Sequence, residues 1–181
     1  NLGRLGYNPS LITAAGKDAD WEIIERASSL IQLDTVIHIP SASTGTYTAV
    51  LNAEGEMIVA FADMEVYDYI LPPILSTHEK KLRQASCIIA DLNCPKEGLT
   101  YLLQKAENNQ TPLAFVTVSI PKMERLPKDL SNLTWIMTNV EESAAYFNLE
   151  IETYEQWKNA VKRWLELGIS YVTVTWGERG V

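Results

Sequence analysis

Short apolar runs rich in β-branched residues alternate with amphipathic stretches at helical spacing along this chain, and that alternation constrains its fold more than any other feature. Residues 10–15, 86–91, 113–118, 134–138 and 170–175 are predicted strands. Between them, residues 19–33, 72–85, 95–108, 140–147 and 154–167 are predicted helices. Strands separated by helices need crossover connections, so the expected class is α/β, with a mostly parallel sheet carrying helices on its faces. In the last helix Trp157, Ala160, Val161, Trp164 and Leu165 recur at helical spacing and form a packing stripe. Two tryptophans at i and i+7 serve a core more readily than a cofactor.

One segment breaks the rhythm. Residues 44–51 and 56–61 alternate on either side of Asn52-Ala53-Glu54-Gly55, and a glycine free to take positive φ makes this a β-hairpin. A bare hairpin is marginal in water, so it is expected on the edge of the main sheet or as a small second sheet acting as a lid. Its open edges also suit pairing with a twin, a homodimer through the hairpin. The organisation read from the chain is an α/β core at 1–34 and 69–181, with the hairpin segment at 35–68.

With 181 residues, 46% of them hydrophobic, the chain can bury one good core. A formal charge of −8 makes nucleic acid and anionic membranes poor partners. The basic run Lys80-Lys81-Leu82-Arg83 reads as a solvated helix face, and no apolar run approaches bilayer length. Cys87 and Cys94 lack C-x-x-C spacing and have only two histidines to help, which argues against a metal site. Both thiols are expected to pack as small hydrophobes, Cys87 within a buried strand, in a reduced cytoplasmic compartment.

Two short motifs carry the chemistry. Asn139-Val140-Glu141-Glu142 opens a helix with an amide and a carboxylate one turn apart. Asn139 suits an N-cap, with Glu142 reaching back as in a capping box. Alternatively, both face phosphates, and Glu142 holds magnesium through water. Thr175-Trp176-Gly177-Glu178-Arg179-Gly180 follows a β-branched strand with a Gly-rich turn. Either it is a turn like any other in an α/β protein, or Thr175, Gly177, Glu178 and Gly180 surround nucleotide phosphates. The carboxyl ends of parallel strands are where such folds bind ligands.

N-x-x-E followed by T-x-G-x-x-G resembles the ribokinase-like carbohydrate kinases, also called PfkB kinases, and the resemblance runs through the chain. Asn1-Leu2-Gly3-Arg4-Leu5-Gly6 is similar to the end of the helix after the family's Gly-Gly turn. Residues 11–18 are similar to its next strand and G-x-D turn, and Ser43-Thr44-Gly45 with the hairpin is similar to its lid region. Three stretches resemble the pseudouridine kinases within the family: residues 44–51 with Ala62-Asp63-Met64, Asp91-Leu92-Asn93-Cys94-Pro95, and Thr117-Val118-Ser119-Ile120-Pro121-Lys122.

The resemblance implies an incomplete three-layer ribokinase-like fold with a β lid. It implies ATP, Mg2+ and a monovalent cation as cofactors, and phosphoryl transfer to the 5′-hydroxyl of a ribosyl nucleoside, pseudouridine first. Alternatives are another sugar or nucleoside substrate, such as ribose or adenosine, or a non-catalytic nucleoside-binding chain. Asn93 would approach the sugar, unless it only forms a turn before Cys94-Pro95. Ser119 and Lys122 would line the wall near the phosphates, although Lys122 suits a surface helix start equally. Thr44 and Asp63 would face substrate below the lid, unless Asp63 merely caps its turn. The family's base is the Asp of a G-A-G-D loop, which these 181 residues do not contain. The chain is therefore expected to be truncated at both ends, with its base Asp beyond Val181, and inactive alone.

Overall fold

The computed structural model describes residues 1–181, which form two compact units, Asn1–Ile70 and Leu71–Val181. In the first, β1 (Thr13–Ala15) leads through α1 (Ala19–Ala27) to β2 (Val36–His38), which pairs with it in parallel. Helix α1 begins where the Asp18 carboxylate accepts the Trp21 amide at 3.0 Å. It stops at Ala27 rather than at residue 33. Serine is a poor helix interior residue, and two follow here, Ser28 and Ser29; the Ser28 amide closes on the Glu25 carbonyl at 3.1 Å and ends the helix. The released segment lets Gln32 pair with Pro9 and Leu11 through backbone bonds of 2.8 and 3.0 Å, an isolated parallel bridge at Ser10, while β1 itself covers only Thr13–Ala15 of the predicted strand at 10–15. Strand β2 went unanticipated because three residues are too few to display alternation.

The hairpin forms from β3 (Thr46–Leu51) and β4 (Met57–Asp63), a two-stranded sheet of its own. Asn52 turns it by accepting the amides of Glu54 and Glu56 at 3.1 and 2.7 Å, while Gly55 takes φ 85°. Cross-strand pairs such as Thr48 with Phe61 and Val50 with Val59 hold the register. Nearly all its side chains are exposed, on both faces.

The second unit runs α2 (Pro72–Thr77), α3 (Glu79–Gln84), β5 (Ile88–Asp91), α4 (Lys96–Asn109), β6 (Leu113–Val116), β7 (Trp135–Asn139), α5 (Val140–Phe147), α6 (Tyr154–Glu166) and β8 (Tyr171–Thr175). The single helix predicted at 72–85 breaks at His78. The Ser76 and Thr77 hydroxyls donate back to the Pro73 and Ile74 carbonyls at 2.8 and 2.7 Å, a bonding pattern that bends helices.

Strands β5, β6, β7 and β8 are parallel neighbours in chain order, so right-handed crossovers carry every connection over one face. Leu113, Phe115, Ile136 and Val174 point to that face and are buried. Each large apolar side chain buried this way contributes about 1.5–3 kcal/mol. The other face leaves Ile89, Trp135 and Tyr171 at 52, 41 and 61% exposure.

Helix α6 is joined to α5 through the buried Trp164, which stacks on Tyr146 at 4.6 Å and donates to the Ser143 hydroxyl at 3.0 Å. Trp157 donates to the Val174 carbonyl at 3.1 Å, so the stripe is core rather than a cofactor box. Leu165, counted in that stripe, is exposed. Cys94 is buried, and desolvation, reinforced by Asp91 and opposed by Arg125, pushes its thiol up to about 12. Cys87 departs from expectation: it is exposed and precedes β5. No helix is long and apolar enough to cross a membrane.

Candidate functional site

The carboxyl ends of the four parallel strands lie along one edge. Asp91 is in register with Val116, Val116 with Met137, and Asn139 with Thr175. The segments leaving this edge carry Asn93, Ser119 and Lys122, then Asn139 and Glu142, then Thr175, Gly177, Glu178 and Gly180. Residues spread over nearly ninety positions by sequence are thereby brought to one rim, as the crossover topology requires.

Asn139 is the N-cap of α5. Its side chain accepts the Glu142 amide at 2.8 Å, and Glu142 Oε2 accepts the Asn139 amide at 3.1 Å, so both halves of a capping box are present. The box does not exhaust the arrangement. Glu142 is only 4% exposed, and its Oε2 also accepts the Thr138 hydroxyl at 3.1 Å and the Thr117 hydroxyl. A buried carboxylate needs such donors. Thr117 escaped sequence reasoning because it stands 25 residues from its partner, and Thr138, four residues away, because it reads as an ordinary β-branched strand residue.

After β8 the chain makes a 3-10 turn, Gly177–Arg179, with Gly177 at φ 51° and Gly180 at φ 96°. The Trp176 amide donates to the Gly180 carbonyl at 2.7 Å and closes the loop. The amides of Gly177 and Glu178 open the turn, the position where a helical segment offers donors. Thr175 is exposed and its hydroxyl donates weakly to the Thr138 carbonyl at 3.4 Å, a bond that joins the two motifs. Arg179 covers the Trp176 ring at 4.4 Å.

Asn93 lies in a turn whose amide bonds Asp91 Oδ1 at 2.8 Å, and its carbonyl accepts Arg125 Nη1 at 2.6 Å. Both bonds use its backbone rather than its side chain. Arg125 thus fastens the loop after β5 to the 3-10 segment Ile120–Arg125 after β6, a link the sequence did not announce. Ser119 precedes that segment without capping it through its side chain, and Lys122 is half-buried within it.

In the first unit, Thr44 is buried and fully bonded. Its hydroxyl donates to Asp18 Oδ1 at 2.7 Å and accepts the Gly16 amide at 3.1 Å, while its own amide donates to Asp18 Oδ2 at 2.7 Å. Those bonds hold the Asp18 carboxyl below its ordinary range. Asp63 ends β4, exposed, opposite Thr46.

No three His, Cys, Asp or Glu side chains are grouped to hold a bare metal ion. A magnesium ion that arrives with a nucleotide requires less: one or two carboxylates, with waters and phosphates completing the shell. The donors to Glu142 converge on Oε2, so Oε1 is the oxygen that such a cation would use.

Residues 1–181 match the pfkB family of carbohydrate kinases along the whole chain. The pseudouridine kinase of Escherichia coli strain K12 is 25% identical over 183 residues, covering 100% of this chain and 58% of that protein. A carbohydrate kinase from Agrobacterium tumefaciens superposes with a TM-score of 0.79 at 26% identity, covering 96% of this chain and 55% of the other. The Arabidopsis thaliana ribokinase complexed with ribose and ATP superposes with a TM-score of 0.84 at 18% identity, covering 96% and 57%. The chain thus spans little more than half the length of these relatives. Its architecture is ribokinase-like α/β, with parallel strands, helices and no closed barrel. The chain belongs to the pfkB family of carbohydrate kinases.

Proposed function

We propose that this chain carries the nucleotide half of a kinase site that transfers the ATP γ-phosphoryl group to the ribose 5′-hydroxyl of pseudouridine. The observation that carries the reading is the register of Asn139 with Thr175, which sets the starts of both motifs side by side at the carboxyl edge of the sheet. In this reading the Thr175 hydroxyl and the Gly177 amide hold the phosphates, with Glu178 and Gly180 shaping the turn. Glu142 would hold, through water, a magnesium ion that accompanies the nucleotide, and that ion would supply charge neutralisation at the phosphates. Lys122 and Ser119 line the phosphate wall, and the Asn93 side chain bonds a sugar hydroxyl. Thr44 and Asp63, in the first unit, are read as substrate contacts from the resemblance of residues 44–51 and 62–64 to the pseudouridine kinases.

Catalysis on such a site is positioning and electrostatic stabilisation. The new bond joins the 5′-oxygen to the γ-phosphorus, the bond to the β-phosphate oxygen breaks, and the hydroxyl proton passes to a carboxylate base. These 181 residues hold no G-A-G-D loop to provide that base. The exposed edges of β3 and β4 suit pairing with a second copy.

Pseudouridine is favoured over other acceptors by the E. coli relative, at 25% identity. The test is ADP release by the full-length protein against pseudouridine, ribose, adenosine and fructose 6-phosphate. Preference for pseudouridine by at least tenfold in kcat/KM supports the assignment. Preference for another acceptor replaces pseudouridine within the same family, and no ATP turnover with any acceptor removes the kinase reading.

A further inference from the structure

The strand β6 ends in an unusual way. Val118, a β-branched residue, sits at φ 71°, and the Ser119 amide donates back to the Thr117 carbonyl at 2.9 Å. A three-residue turn with positive φ at its centre is the rare and strained form of the γ-turn. A β-branched side chain makes that conformation costlier still. Such strain persists only where the surroundings over-determine it, and it clusters at functional sites.

The turn fixes what lies immediately before it. Thr117 is 1% exposed, its amide donates to the Met137 carbonyl at 3.1 Å, and its hydroxyl faces both the Met137 carbonyl at 3.3 Å and, more closely, Glu142 Oε2. Three donors meet on that single oxygen, from Thr117, Thr138 and the Asn139 amide. Thr138 and Asn139 belong to the segment that leads into α5, so Thr117 alone ties the carboxylate to a different strand. A capping box requires only the Asn139 and Glu142 pair. The added hydroxyl, from the residue after β6, exceeds what helix capping needs.

We propose that Thr117 is a positioning residue: held by the γ-turn at Val118, it fixes Oε2 of Glu142 so that the remaining carboxylate oxygen is the one presented to the hydrated cation of the nucleotide. This rests on the nucleotide-site reading above. Residues that orient a metal-facing ligand in this way govern metal affinity, and losing one weakens binding by about 10–100-fold.

The experiment compares wild type, Thr117→Val and Thr117→Ser in the full-length protein. Electron paramagnetic resonance measures Mn2+ affinity at saturating ADP, and ADP affinity is measured separately in EDTA. The expected result is Mn2+ binding about tenfold weaker in Thr117→Val and restored to within about twofold by Thr117→Ser, with metal-free ADP affinity unchanged. If Thr117→Val does not fold, Thr117→Cys, a weak donor of similar size, takes its place in the same comparison. Equal Mn2+ affinity in wild type and the hydroxyl-free variant overturns the positioning role while leaving the nucleotide site standing. A wild-type protein that shows no ADP-dependent Mn2+ binding overturns the nucleotide reading, and the positioning role with it.

Discussion

Asn139 and Thr175 are in-register partners across the parallel pair β7–β8, and the Thr175 hydroxyl reaches the carbonyl of Thr138, the residue before Asn139. Motifs 36 positions apart along the chain therefore begin at the same height of the sheet edge. Asn139 has a complete structural role as a helix cap, so a test of function must leave capping intact. Ser caps a helix about as well as Asn, whereas Ala loses about 1 kcal/mol. Asn139→Ser should retain thermal stability while ATP affinity falls about tenfold, and Asn139→Ala should lose both. Calorimetry on the two variants checks this, and unchanged ATP affinity in Asn139→Ser confines Asn139 to capping.

Asp18 gives the first unit a defined response to acid. The Thr44 amide, then the Thr44 hydroxyl and the Trp21 amide, lower the pKa of its carboxyl from 3.8. A lowered folded-state value means that the ionised form is favoured by folding, so the stabilisation is present above pH 3.8 and is lost as pH falls toward the folded-state value. Glu79 beside Lys105 and Asp129 beside Ser131 are lowered as well and supply a background of acid lability. Asp18→Asn should therefore show a flatter fall of Tm between about pH 5 and pH 3 than wild type. Parallel curves for the two proteins contradict the assignment.

The two cysteines should separate cleanly by reactivity. Cys94 is buried and its thiol is pushed up to about 12, whereas Cys87 is exposed, its thiol also raised by partial desolvation but open to reagent. The thiolate is the reactive form, so near pH 8 a water-soluble thiol reagent should label Cys87 and leave Cys94 untouched until the chain is denatured. Mass spectrometry of labelled peptides checks it; modification of Cys94 in the native protein at the rate of Cys87 contradicts the packing around β5.

The sequence was most legible where local chemistry and tertiary demand agree. Helix α5 spans Val140–Phe147 as expected because Asn139 and Glu142 mark its start unambiguously. The hairpin followed from alternation around Asn52 and Gly55. Expectation failed where side chains bond the backbone in competition with the helix, at Ser76 and Thr77 between α2 and α3, and where the backbone itself tightens and stops, at Ser28 after α1. Cys87 was misplaced because an apolar run alone does not say where a strand begins. At the carboxyl edge, the capping pair Asn139 and Glu142 was readable from its spacing. The Thr117 clamp on Glu142, the Arg125 link to Asn93 and the left-handed Val118 were not, because each depends on strands that meet only in the folded sheet.

Hydrogen exchange of the full-length protein, with and without Mg2+ and a non-hydrolysable ATP analogue, tests the placement of the nucleotide most directly. Slowed exchange is expected in residues 139–142 and 175–180 together, since one ligand would cover two neighbouring strand ends. Protection confined to other segments, or none in either of these two at saturating nucleotide, would contradict it.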